Sequence, residues 1–388
     1  MSAPDVDAGL KMTVGFFAPL PPAPTGVAEY AADLLAALKR EAARHQGRVE
    51  VESASGIGLY HIGNNHLHQG IYQRALERPG VAVLHDAVLQ HFFLGTLGEA
   101  GYIEEFVYNY GEWTRDLAAD LWRRRARSAA DPRYFAYPML KRIATASRAV
   151  IVHNPAAARM VKRHAPETEV IEIPHLFTRP ELPDPVDTLR FRATLGLGPR
   201  TLLVGVFGHL RESKRLPVIL RAMERAGQLG ADTRLLVAGA FASSDLERAL
   251  KPVLANPRIL RTGHLAEKDF WRYAAAMDLC VNLRFPTAGE ASGIAIRMMG
   301  IGKPVVFTAG DEIARIPGNA CLRIDVGAAE EETLAAMILW LAGDREAAAE
   351  IGKRAAAHIA KEHSLTIVAE RYWNALARVK EASALLRG

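Results

Sequence analysis

RFPTAGEASGIAIRMMGIGKPVVFT, residues 284–308, packs a turn, a short helix and a strand into one segment, and the rest of the chain can be read outward from it. Pro286, Thr287, Ala288 and Gly289 carry turn chemistry. The apolar run Ile294 to Met299 predicts a short helix that is nonpolar almost all round, hence a buried one. Gly300 and Gly302 are placed to end it, Pro304 follows, and Val305 to Phe307 read as a core strand. Ser292 and Gly293 then fall in the first helical turn, where unpaired amides and the positive dipole end favour an anion. Glu290 stands just ahead of them. An acid at that point fits either a helix cap or a ligand contact, and the local pattern leaves both open.

The chain has 388 residues, 49% of them hydrophobic and 23% charged, enough to bury the cores of two domains of ordinary size. No apolar run reaches membrane-spanning length. The N-terminus, MSAPDVDAGLKM, lacks the charged-then-apolar order of a signal peptide, so a cytoplasmic protein is expected. Cys280 and Cys321 sit in apolar, strand-like runs, which favours inert buried thiols over disulfides or metal ligands. A net charge of +5 suits nucleic acid, an anionic membrane or a phosphorylated ligand without choosing among them. A nucleic-acid module is disfavoured because no basic stripe interleaved with aromatics is present.

Strands alternate with helices along the chain. Met12 to Phe17 predicts a first strand, followed by the proline-rich loop PLPPAPTGVAEY (residues 19–30) and an amphipathic helix from Val27 to Lys39. Thr25 and Gly26 at that helix start can offer amides to a phosphate or an acceptor hydroxyl, or Thr25 can serve as the cap. Val81 to Leu84 is a strand that ends in His85 and Asp86, an ionisable pair at the edge of a sheet. Its alternative reading is a structural histidine paired with Asp86. The strands Ala149 to Val152 and Val170 to Ile173 run out into His153 and into Pro174 and His175. Residues 101–146 read as helices rich in aromatic and basic residues. Their densest run, Trp122 to Arg127, is either a solvated face or a contact with an anionic surface.

Residues 181–200, proline-rich and weakly periodic, are read as a linker between a domain at 1–180 and a second α/β domain at 201–365, with a terminal helix at 366–388 crossing back. In the second half Leu202 to Phe207 is a strand, GHLRESK its polar exit loop and Leu216 to Ala226 a helix. Arg211 and Lys214 leave one strand, while Glu290, Ser292 and Gly293 follow another. Cations and helix amides can therefore converge on a diphosphate. Neither a GxxxxGK[ST] nor a GxGxxG motif is present, which argues against a P-loop NTPase or a usual dinucleotide site.

With these segments in view, the chain resembles the GT-B glycosyltransferases of family four, retaining enzymes that use nucleotide-sugar donors. The resemblance rests on PLPPAPTGVAEY, YHIGNNHLH, PGVAVLHDAVLQHF, FGHLRESKRLPVILRA, NLRFPTAGEASG and GIGKPVV, in that order. It implies two Rossmann-like domains with parallel sheets facing across a cleft, the first binding acceptor and the second donor. Lys214 takes the place of the donor-phosphate lysine and Arg211 that of a second cation, although His209 stands where the family usually has arginine. Glu290 matches the first glutamate of an E-x7-E element that binds the donor sugar, and the second glutamate is replaced by Met298. His85 matches a histidine near the transferred sugar. Arg284, Thr287, Gly289, Ser292 and Gly293 complete the implied donor loop, while Thr25, Gly26, Asn64 and Asp86 are expected on the acceptor side. The implied co-substrate is a UDP- or GDP-sugar, with neither prosthetic group nor metal, and the implied acceptor is a hydroxyl-bearing glycan or lipid-linked molecule. A peripheral contact with a membrane through the basic face of the first domain is a further expectation. The rival readings are a sugar-nucleotide epimerase, a glycan phosphorylase, or a nucleotide-sugar-binding subunit without catalysis.

Overall fold

The computed structural model describes residues 12–385, so the leader reading at residues 1–11 falls outside it. The described residues form two six-stranded parallel sheets. The first contains β1 (Met12–Phe17), β2 (Gly47–Val51), β3 (Ile57–Ile62), β4 (Val81–Leu84), β5 (Ala149–Val152) and β6 (Val170–Glu172), in the order β2-β1-β3-β4-β5-β6. The second contains β7 (Leu202–Phe207), β8 (Thr233–Ala238), β9 (Ile259–Gly263), β10 (Leu279–Asn282), β11 (Val305–Thr308) and β12 (Leu322–Ile324), in the order β12-β11-β10-β7-β8-β9.

The central strands β3, β4, β5 and β7 are buried along their whole length, as expected where helices cover both faces of a parallel sheet. That is why they read as continuous apolar runs and not as alternating ones. On one face of the first sheet, Val14, Phe16, Leu59 and Val83 pack under the helices Gly26–Arg44 and Leu365–Leu385. The first of these helices buries Tyr30, Ala31, Leu34, Leu35, Leu38 and Ala42, a stripe at helical spacing. The opposite face packs Phe17, Tyr60, Ile62 and Leu84 against Phe92, Phe106, Leu121 and Tyr134. In the second sheet Val204, Val206, Val237 and Val281 lie under Ile219, Leu334 and Ile338.

The chain divides into two compact units. Unit 1 is Met1–Thr178 with Ala288–Ala291 and Glu362–Gly388, and unit 2 is Arg179–Thr287 with Ser292–Lys361. The proline-rich segment at 181–200 is more ordered than its weak periodicity suggested. Helix Pro185–Thr194 starts on an Asp184 cap and buries Phe191, and Arg192 bonds the Ala276 and Thr201 carbonyls and Asp278. Prolines at the first helical position mark a helix start and not a break. Among the described residues, no helix is long and apolar enough to cross a membrane.

Candidate active site

In unit 2 the strand order turns back between β10 and β7, the point at which loops leaving the C-terminal ends of neighbouring strands diverge and open sheets bind ligands. The two loops involved are those the sequence singled out. They meet directly, through a hydrogen bond from Phe285 N to the Ser213 carbonyl at 2.8 Å. Gly208, at φ +86, turns the chain sharply out of β7, a conformation that glycine adopts without a steric penalty. A one-turn helix, Glu212–Lys214, then folds Lys214 back under the strand end, where its Nζ donates to the Phe207 carbonyl at 2.6 Å. Lys214 is only 5% exposed, so its position is fixed by packing as well as by charge. Arg211 and His209 on the same loop are exposed. Partial desolvation, then Arg211, His264 and Lys214, push the His209 pKa down, which keeps this ring neutral in a cation-rich neighbourhood.

The next residue, Arg215, anchors this loop. Its left-handed backbone (φ 55) turns the guanidinium onto the buried Glu330 carboxylate, with Nε contacts of 2.6 and 2.9 Å. Nothing at sequence level separated this arginine from its neighbours, because its partner lies more than a hundred positions away.

On the β10 side, helix Gly293–Gly300 starts at Ser292, whose Oγ accepts from Ala295 N at 3.3 Å and donates to Asn282 Oδ1 at 3.0 Å. The helix start is thereby tied to the end of β10. The capping alternative for Glu290 is corrected: Ser292 is the cap, and Glu290 accepts instead from Ala288 N at 2.8 Å, within its own loop. That loop, Ala288–Ala291, belongs to unit 1, where Ala87 N donates to the Ala288 carbonyl at 2.7 Å and Asn154 Nδ2 to the Gly289 carbonyl at 2.8 Å. Gly289 has φ +70, and a Cβ there would stand 2.9 Å from that of Ala87. Arg284 N is held by Thr308 Oγ1 at 2.9 Å, and Thr287, three positions on, is half-buried. Met298 is completely buried in the core, so no ligand reaches the position of the absent second glutamate.

In unit 1 the reversal lies between β1 and β3, and the loops there carry Thr25, Gly26 and Asn64. Thr25 caps its helix, accepting from Val27 N at 3.4 Å, and the space around Gly26 is open. Asn64 and Asp86 are bound to each other: Asn64 N donates to Asp86 Oδ2 at 2.9 Å, while Asn64 Oδ1 accepts from Phe92 N at 2.9 Å. The two residues lock the exits of β3 and β4 together.

His85 follows β4 directly. Its hydrogen-bond partner is His61, at 3.0 Å, which corrects the alternative pairing with Asp86. Around it lie His153, with ring centroids 5.1 Å away, and Tyr30, 4.8 Å away edge-on; Tyr30 in turn packs 4.7 Å from His175. The Tyr30 hydroxyl meets that of Tyr372, from the C-terminal helix, at 2.9 Å. Burial, reinforced by neighbouring histidines, holds His61 at about 3 and His85 well below its ordinary value. The sequence showed histidines running out of β4, β5 and β6; His61, inside β3, was not singled out. Its only signal was a polar residue in the middle of a buried strand.

Among the described residues, no cluster of three or more His, Cys, Asp or Glu side chains could hold a metal ion. Cys280 and Cys321 are free and buried. Most of the arginine charge at 115–142 is locally compensated: Arg115 by Glu104 and Glu112, Arg124 and Arg133 by Asp120, and Arg142 by Glu105.

A comparison with curated proteins by sequence finds no match. Solved structures of the same fold are found. Anabaena HepE in complex with UDP-glucose aligns with a TM-score of 0.61 at 17% identity, over 95% of this chain and 100% of that one. Sucrose-phosphate synthase from Thermosynechococcus elongatus aligns with a TM-score of 0.60 at 18% identity, over 84% of this chain and 74% of that one. The pneumococcal O-GlcNAc transferase GtfA, in complex with UDP and GlcNAc, aligns with a TM-score of 0.55 at 12% identity, over 83% of this chain and 57% of that one. These likenesses establish two Rossmann-like domains of the GT-B type. Residues 199–344, which hold the β7 and β10 exit loops, match the family model for glycosyl transferases group 1.

Proposed function

We propose that this protein is a retaining glycosyltransferase that moves a sugar from a nucleotide diphosphate to the hydroxyl of a glycan, lipid-linked or small-molecule acceptor. The observation that carries the reading is that, at the strand reversal of unit 2, the Lys214 Nζ and the Ile294 side chain, in the first turn of helix Gly293–Gly300, both lie within 4 Å of the position a Cβ would take at Gly208. This suits a diphosphate, whose oxygens gain negative charge as the glycosidic bond breaks. Lys214, Arg211 and the helix amides then stabilise the leaving group, aided by Arg284, His209 and Thr287 on the same two loops. Preorganised donors of this kind commonly contribute on the order of 3 kcal/mol each to the transition state. Glu290 accepts hydrogen bonds from the donor sugar. Transfer on the front face lets the departing phosphate take the acceptor proton, so the reading needs no protein nucleophile and no metal.

Unit 2 is assigned the donor and unit 1 the acceptor, through loops around Thr25 and Asn64. The UDP and UDP-glucose of HepE favour a UDP-sugar over a GDP-sugar. We place the protein in the cytoplasm. A peripheral membrane contact through the run at residues 122–127 stays part of the proposal: Arg123 and Arg124 share the single Asp120 carboxylate with Arg133.

A thermal-shift series with UDP-, GDP-, ADP- and TDP-sugars tests the reading. A ligand at a hundred times its Kd stabilises the folded state by about 2.7 kcal/mol. One nucleotide class is expected to raise Tm, and Lys214→Ala should abolish that rise. Lys214→Ala and Glu290→Ala should each lower transfer about a hundredfold with the circular dichroism spectrum unchanged, and EDTA should leave transfer intact. No shift with any nucleotide sugar would overturn the proposal.

A further inference from the structure

His61, His68 and His153 share a peculiarity: each is buried, and each has an Nε2 without a hydrogen-bond partner. For two of them the tautomer follows at once. His68 Nδ1 lies 2.9 Å from the His61 carbonyl, and His153 Nδ1 lies 2.9 Å from the Ile173 carbonyl. A carbonyl only accepts, so both rings carry their proton on Nδ1 and leave a bare lone pair on the orphaned Nε2. That is the cheaper orphan, since a buried N–H without an acceptor is the rarer defect in folded proteins.

His61 faces another ring, and there the choice is open in principle. If His85 Nε2–H donated to His61 Nδ1, a neutral His61 would have to carry its own proton on Nε2, as a buried N–H with nothing to receive it. If His61 Nδ1–H donates, its Nε2 is a bare lone pair like those of His68 and His153. Neutrality is secured by burial, which lowers the pKa of both rings far below 6.5. Tyr30, Tyr372, His153 and His175 surround the pair, and no carboxylate contributes to the depressed pKa of either ring.

We infer that His61 is a positioning residue that donates from Nδ1 to His85 Nε2 and so fixes His85 as a hydrogen-bond donor through Nδ1–H. His85 is half-buried at the C-terminal edge of the sheet, and its Nδ1 has no hydrogen-bond partner among the described residues. It therefore offers an N–H to a ligand oxygen, such as a sugar hydroxyl or an oxygen gaining negative charge. Its one lone pair is already engaged by His61, so it is not placed to act as a general base. The consequence for catalysis rests on the glycosyl-transfer reading above; the tautomer itself does not.

Long-range proton–nitrogen correlation spectra of the full chain labelled with 15N-histidine read the tautomer directly. The expected spectrum shows His85 protonated on Nδ1 and bare on Nε2; the reverse, or a mixture in the unmodified protein, overturns the inference. His61→Asn keeps an amide donor near the Nδ1 position and should preserve both the His85 tautomer and kcat/KM to within about twofold. His61→Gln moves the donor away, and His61→Leu removes it. In both, His85 should sample two tautomers and kcat should fall about fivefold or more, with KM for the nucleotide sugar little changed. If His61→Leu fails to fold, His61→Gln decides. Wild-type kcat and an unchanged His85 spectrum in that variant would refute the role of His61. If no nucleotide sugar is turned over, the functional reading fails while the spectra still decide the tautomer.

Discussion

Acidification should destabilise unit 1 well above the pH at which carboxylates protonate. His61 is held at about 3 and His68 and His153 at about 4, all by burial, against an ordinary 6.5 in the unfolded chain. The folded state therefore refuses protons that the unfolded state accepts. Stability from these groups is intact above pH 6.5 and is lost as pH falls from 6.5 toward their folded values. At pH 5 each ring is 1.5 pH units below 6.5, and about 1.36 kcal/mol per unit gives roughly 2 kcal/mol per ring. Three rings together cost about 6 kcal/mol, a large part of the roughly 5–15 kcal/mol that keeps a domain folded, and His85 adds to the loss in the same direction. For a unit of this size Tm should drop by roughly 10 to 25 °C between pH 7.5 and pH 5, with at least three protons taken up on unfolding at pH 5. Scanning calorimetry in buffers of differing ionisation enthalpy measures both quantities. His153→Asn, which can keep the bond to the Ile173 carbonyl without a titrating ring, should lower the proton uptake by about one. A Tm that stays within a few degrees over this range, or an uptake near zero, would refute the assignment of these rings as buried and neutral.

Two further expectations concern the supports of the candidate site. Glu330→Gln leaves the Arg215 guanidinium facing a neutral partner in a largely buried pair, and urea unfolding should show unit 2 destabilised by about 3 kcal/mol, since loss of one member leaves a poorly solvated charge. Cys280 is fully buried and its thiol is pushed up to about 12, so at pH 8 it should react with a thiol reagent only at the rate of unfolding, and denaturant should release both cysteines at once. Rapid labelling of Cys280 in the native protein would contradict the packing around β10.

Much of the framework was legible from residue order. The strands Met12–Phe17, Val81–Leu84, Ala149–Val152, Leu202–Phe207 and Val305–Thr308 have the bounds their apolar runs predict, or within a residue of them. The place of the helix start at Ser292 and Gly293 was legible too, from the apolar run that follows it, although the cap offered for Glu290 belongs to Ser292. Helix Pro185–Thr194 was missed because its exposed Leu189 and Val186 blur the helical period that Phe191 alone supports.

What the sequence determined by itself was whatever a few consecutive side chains decide: the type of most elements, and the presence of cations and acids at strand exits. The tertiary structure decided pairings between distant positions. It set His61 against His85 across neighbouring strands, Arg215 against Glu330, and Glu290 into a loop held by Ala87 and Asn154. A capping hydroxyl finds its amide within one turn, whatever the rest of the chain does. A buried imidazole acquires its proton's position only when the sheet has chosen its neighbours, because strand order, and not sequence separation, sets which polar atoms must satisfy one another out of water.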